Sequence, residues 1–132
     1  CVLRTDGNPD GHLVLRGGKQ GPNYDTVSVK EAGDVLEDGG LARRLIVDCS
    51  HGNSNKDHER QPLVFEDVIG QRVNGDLSIV GIMLESNINA GSQSLGSNPD
   101  DLQYGISITD ACVGWSKTEE IILWADKQLS KS

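Results

Sequence analysis

The chain has 132 residues, a formal net charge of −8 and 36% hydrophobic residues, enough for one ordinary domain with a modest core. Its acid excess argues against a nucleic-acid partner, which needs a basic face, and no apolar run approaches the roughly 18 residues of a membrane span. Aromatic residues are scarce and glycines number 16, so the core must be built mainly from Val, Ile and Leu. Cys1, Cys49 and Cys112 are widely spaced and form neither a C-x-x-C pair nor a disulfide-dense framework. With no basic leader, this pattern suggests reduced thiols and a cytoplasmic protein. The chain opens at Cys1, without Met, in what reads as structured sequence, so a piece of a longer molecule is expected.

Three strand-then-helix units follow in order. The first has an apolar strand over 12–15, closed by Arg16-Gly17-Gly18-Lys19. A turn-rich stretch follows, and Val29, Ala32, Val35 and Leu36 then fall at helical spacing before Gly39-Gly40. In the second unit, Leu45-Ile46-Val47 runs into Asp48-Cys49-Ser50-His51-Gly52-Asn53. Pro62 suits a first helical turn, Val64, Val68, Ile69 and Val73 form an apolar stripe, and Asn74-Gly75 ends it. The third strand spans 78–84 and ends in Glu85-Ser86-Asn87. A long polar segment leads to about Gly114, and a last helix is expected to open on Ser116 and Glu119 in capping-box spacing. Its expected apolar face is Ile122, Ala125 and Leu129.

Strands that are apolar throughout are expected where both sheet faces are covered, as in parallel β/α folds. The polar residues closing the three strands, Arg16, His51 and Glu85, lie 35 and 34 residues apart. That period suits successive βα units of a (β/α)8 barrel, whose chemistry gathers at the carboxyl ends of its strands. A doubly wound open sheet has the same end preference and remains an alternative.

Taken singly, each of these residues has an ordinary reading. Arg16 suits a structural ion pair, His51 a hydrogen-bonded fixture and Asp110 a turn cap. Glu85 is harder to dismiss, because a carboxylate ending an apolar strand needs a partner. Together, an imidazole and two carboxylates suit Mn²⁺, Fe²⁺, Co²⁺ or Zn²⁺ and leave positions open for other ligands. Arg16, beside Gly17 and Gly18, offers a planar fork for a phosphate or carboxylate. A Cys49/His51 metal pair is a local alternative, since residues two apart on a strand share a face.

Four segments resemble one family. They are Leu15-Arg16-Gly17-Gly18-Lys19, Asp48-Cys49-Ser50-His51-Gly52-Asn53-Ser54-Asn55-Lys56, Gly81-Ile82-Met83-Leu84-Glu85-Ser86-Asn87, and the run from Gly105-Ile106-Ser107-Ile108-Thr109-Asp110 through Ala111-Cys112-Val113-Gly114-Trp115. In order and interval they are similar to the class-I, microbial type of 3-deoxy-D-arabino-heptulosonate 7-phosphate (DAHP) synthase. The resemblance implies an α/β fold in which residues 1–132 supply about the last three βα units of one (β/α)8 barrel domain, the amino-terminal half being absent. It implies that His51, Glu85 and Asp110 are three of four metal ligands, with His51 and Asp110 among the catalytic residues. Arg16 would bind phosphoenolpyruvate.

The fourth ligand in the family is a cysteine in a Gly-Pro-Cys segment, which this sequence lacks: Cys1 is followed by Val2-Leu3-Arg4. The implied reaction joins phosphoenolpyruvate to erythrose 4-phosphate with a divalent metal, at the entry to the shikimate pathway. The full-length protein is expected to be a homo-oligomer. Two other readings stand beside this one. In the first, the isolated chain is an inactive fragment that at most binds a metal, with two raw sheet edges. In the second, it is a small phosphate-binding or regulatory module.

Overall fold

The computed structural model describes residues 1–8 and 10–131. Its elements are β1 (Leu13–Leu15), α1 (Thr26–Asp38), β2 (Leu45–Asp48), α2 (Gln61–Val73), β3 (Ile79–Met83), β4 (Ser86–Asn87), β5 (Val113–Gly114) and α3 (Trp115–Leu129). Short 3-10 turns occupy His58–Arg60 and Pro99–Asp101. Strands β1, β2 and β3 form a parallel sheet in chain order, and α1 and α2 are the connections between them. The fold is therefore α/β with parallel strands, as the apolar strands and intervening helices predict. The carboxyl ends of all three strands lie on one rim.

Local chemistry explains the helix boundaries. Asp25 caps α1, its Oδ1 accepting from the Val27 and Ser28 amides at 3.0 and 3.1 Å and its Oδ2 from the Ser28 hydroxyl at 2.7 Å. These bonds, the Ser28 hydroxyl first, hold its pKa below the usual carboxylate range. Helix α2 starts with Pro62 in its first turn, where a missing amide hydrogen costs nothing.

The last helix differs from expectation. Its N-cap lies two residues earlier, at Gly114 rather than Ser116, so that the helix begins at Trp115 and no capping box forms. The reason is that Val113 and Gly114 are already extended, paired in parallel with Ser86 and Asn87, so the strand runs straight into the helix. Thr118 Oγ1 instead donates to the Gly114 carbonyl at 3.1 Å. The buried face is also turned by one residue: Thr118, Ile121 and Ala125 are buried, whereas Ile122 and Leu129 are exposed.

Leu15, Leu45, Val47 and Ile79 meet Val29, Val64, Phe65, Val68, Ile69, Ile121 and Ala125 in one core between sheet and helices. Val29, Val47 and Val68 are completely inaccessible. Register puts Val14 beside Ile46 and Asp48 beside Met83, on the face away from this core. That face is covered less completely, since Val14 and Met83 are exposed. Among the described residues, helices thus cover one face of the sheet, although the strands are apolar on both.

Candidate metal centre

The site is built on the tip of β2. Beyond Asp48 the chain coils tightly, the Ser54 amide donating to the Ser50 carbonyl at 3.1 Å and the Lys56 amide to the His51 carbonyl at 2.7 Å. His51 takes a left-handed backbone with φ of 44°, a conformation that costs a non-glycine residue about 1 kcal/mol or more and must be imposed by its surroundings. Asn53, only 1% exposed, helps impose it. Its Nδ2 donates to the Leu15 carbonyl at 3.0 Å and the Asp48 carbonyl at 2.8 Å, and its Oδ1 accepts from the Asn23 amide at 2.8 Å.

The β1 tip is locked to the same turn. The Gly52 amide donates to the Arg16 carbonyl at 3.0 Å. Gly17, at φ of 78°, lies so close that a Cβ there would fall 2.6 Å from the Gly52 carbonyl carbon.

Within this frame, His51 Nδ1 lies 2.7 Å from Asp48 Oδ2, while Asp48 Oδ1 accepts from the Ser50 amide at 2.8 Å. The opposite ring nitrogen, Nε2, faces Glu85 Oε1 at 3.6 Å and Asp110 Oδ2 at 3.7 Å. One ligand atom from each of His51, Glu85 and Asp110 lies within 4.8 Å of the others.

Glu85 follows β3 and is held by its backbone as well as its side chain. Gln61, fully buried at the start of α2, accepts from the Glu85 amide at 2.9 Å and donates to its carbonyl at 3.2 Å. The Ser50 hydroxyl donates to Glu85 Oε2 at 2.6 Å. Asp110 arrives on the segment returning to β5, which is anchored by paired amide–carbonyl bonds between Gly91 and Cys112 of 2.8 and 3.1 Å. Its side chain is 60% exposed.

The structure therefore brings three sequence-selected residues together and sets Arg16 on the adjoining strand tip. The Arg16 side chain is exposed and joins no ion pair among the described residues. Cys49 points elsewhere: it is fully buried in the core beside Val47 and Val64. Burial, and secondarily the Asp48 charge, pushes its thiol pKa far up, so it suits packing rather than metal ligation. All three cysteines are free.

Sequence reading passed over Asp48, Ser50, Asn53 and Gln61. For Asp48 a signal existed, a carboxylate closing an apolar strand three residues before His51. For Gln61, polar at the buried start of a helix, only the fold supplies the meaning.

Parallel βα units with a nitrogen-and-oxygen donor cluster at the strand carboxyl ends define the class, an α/β protein with a cation-suited rim. Comparison with known proteins narrows it. The model of the DAHP synthetase I family matches residues 1–122, and the chain belongs to that family. It is 50% identical over 122 residues to the Tyr-sensitive phospho-2-dehydro-3-deoxyheptonate aldolase of Escherichia coli K12, covering 92% of this chain and 34% of that protein. It is 48% identical over 125 residues to the tyrosine-inhibited aldolase of Schizosaccharomyces pombe, again covering 92% and 34%. The structure of the phospho-2-dehydro-3-deoxyheptonate aldolase from Francisella tularensis SCHU S4 superposes with a TM-score of 0.90 at 36% identity, over 98% of this chain and 37% of that one. The chain thus spans about a third of the length of these relatives.

Proposed function

We propose that this chain is the carboxy-terminal portion of a single (β/α)8 barrel domain, and that the assembled barrel is a metal-dependent DAHP synthase. Such an enzyme condenses phosphoenolpyruvate with erythrose 4-phosphate. The observation that carries the reading is the convergence of His51, Glu85 and Asp110 on one point at the strand carboxyl rim, where barrel enzymes place their chemistry.

The donor set fits a divalent cation. The Nε2 distances to both carboxylates exceed hydrogen-bond length. Among the described residues, no lysine or arginine is ion-paired to Glu85, Asp110 or Asp48. One imidazole among three carboxylates leaves a net negative centre, which a borderline cation such as Mn²⁺, Fe²⁺, Co²⁺ or Zn²⁺ would balance. A bound ion would supply Lewis-acid polarisation of the erythrose 4-phosphate aldehyde oxygen.

The chain's own residues do the positioning. Carbon 3 of phosphoenolpyruvate attacks the aldehyde carbon, water captures carbon 2, and inorganic phosphate leaves. Arg16, exposed just beyond the β1 tip, holds the phosphoenolpyruvate anion for that attack. His51 and Asp110 border the space in which aldehyde and water meet, and Ser50 and Gln61 keep Glu85 from swinging away. The family resemblance adds a homo-oligomeric full-length enzyme to this reading, and the cysteine pattern a cytoplasmic one; among the described residues no helix is long and apolar enough to cross a membrane.

The test is an assay of the full natural reading frame for erythrose-4-phosphate-dependent loss of phosphoenolpyruvate. Activity should disappear with a chelator and return with Mn²⁺. Turnover indifferent to chelation would defeat the metal assignment, and no turnover with any divalent ion would defeat the reaction. A second reading concerns the isolated chain, for which we expect no turnover. It rests on the partly exposed far face of the sheet and on a family ligand segment, Gly-Pro-Cys, that the sequence lacks.

A further inference from the structure

Asp48 is an unusual acid. It is 2% exposed, and its only ion-pair partner among the described residues is His51. Both carboxylate oxygens are committed: Oδ1 accepts the Ser50 amide at 2.8 Å, and Oδ2 sits 2.7 Å from His51 Nδ1. The carboxylate cannot rotate without breaking the Ser50 contact, and Asn53 fixes the Asp48 carbonyl from the other side at 2.8 Å. Since an ionised carboxylate only accepts hydrogen bonds, the proton between them belongs to Nδ1. At the far end of the ring, 3.6 and 3.7 Å separate Nε2 from two more carboxylates. Both distances exceed hydrogen-bond length, so neither carboxylate is hydrogen-bonded to Nε2, which is left facing the space between them.

We propose that Asp48 is the positioning residue of the centre: its buried carboxylate fixes His51 as the Nδ1–H tautomer and aims a bare Nε2 at the cation. The inference deepens the proposed function and rests on the reading of His51 as a ligand. It assigns Asp48 no contact with substrate or ion. Its effect passes through the imidazole, as outer partners of metal-bound histidines generally act.

Asp48→Asn is the discriminating variant because it preserves shape and reverses one polarity. The Ser50 amide still demands an oxygen, so the new amide nitrogen must turn toward His51 Nδ1. A nitrogen that donates there makes Nδ1 the acceptor and moves the ring proton to Nε2, the logic by which an Asp-to-Asn change disables a catalytic triad. Mn²⁺ titration of the full natural reading frame, with free ion followed by electron paramagnetic resonance, should show affinity lowered by about 10- to 100-fold. The thermal midpoint should stay near that of the parent. A folded Asp48→Asn protein with parent affinity overturns the proposal.

Should that variant not fold, ¹⁵N NMR of the histidine rings in the parent protein loaded with diamagnetic Zn²⁺ decides directly. A protonated Nδ1 and a metal-shifted Nε2 on His51 are expected, and a metal-shifted Nδ1 with the proton on Nε2 overturns the assignment. His51→Ala separates the two levels. Parent Mn²⁺ affinity in that variant removes His51 from the ligand set altogether. Loss there with none in Asp48→Asn removes only the role given to Asp48.

Discussion

The turn that carries His51 and the segment that carries Asp110 deliver their side chains to the same point by opposite means. Around His51 nearly every polar group is buried and engaged: Asp48, Ser50, Asn53 and Gln61 are each at most 4% exposed and share hydrogen bonds with one another, with β1 or with Glu85. Asp110 hangs at the rim, 60% exposed, with no hydrogen bond to its carboxylate among the described residues. Buried, fully paired networks are rigid because any broken bond strands a polar group away from water. One side of the centre is therefore preorganised, and the other is positioned by its backbone alone.

Substitutions test that contrast. The largest effect is expected from His51→Ala in the full natural reading frame, which should abolish metal-dependent turnover; normal activity and metal content would refute the ligand assignment. Gly17→Ala should destabilise the fold by about 2–4 kcal/mol, combining a left-handed backbone with a Cβ forced against Gly52. Denaturant unfolding measures it, and a change under half a unit of kcal/mol, which is the usual surface range of about 0.5, would show the two strand tips to be independent. Ser50→Ala removes one bond to Glu85 Oε2 and should cost about 1 kcal/mol while weakening Mn²⁺ binding roughly tenfold. The smallest stability change belongs to Asp110→Asn, within about 0.5 kcal/mol, although Mn²⁺ affinity should fall. Marked unfolding of that variant would place Asp110 in the framework rather than at its edge.

The same contrast governs what could be read from sequence. Strand and helix positions follow from apolar patterning, which is local, so β1, β2, β3 and the first two helices lie where Val, Ile and Leu spacing puts them. The convergence of His51, Glu85 and Asp110 was legible only in combination, because each has an ordinary reading alone and it is parallel strands ending on one rim that bring such residues together. The pairing of Ser86-Asn87 with Val113-Gly114 was not, because two-residue strands carry no periodicity. That omission also displaced the start of α3 and turned its buried face by one residue. The supports of the site were hidden for another reason: Gln61 acts across the fold on Glu85, and nothing near Gln61 announces its partner.

The short β4–β5 ladder closes the long segment between its strands. Because Ser86-Asn87 and Val113-Gly114 are side by side, and Gly91 meets Cys112 a few residues further out, the chain between them departs from and returns to one neck. Whatever happens at its crest, where Leu95 and Tyr104 already project into solvent, is insulated from the base by that closure. Substitutions at Leu95 or Tyr104 are therefore expected to leave Asp110, near the neck, at its address.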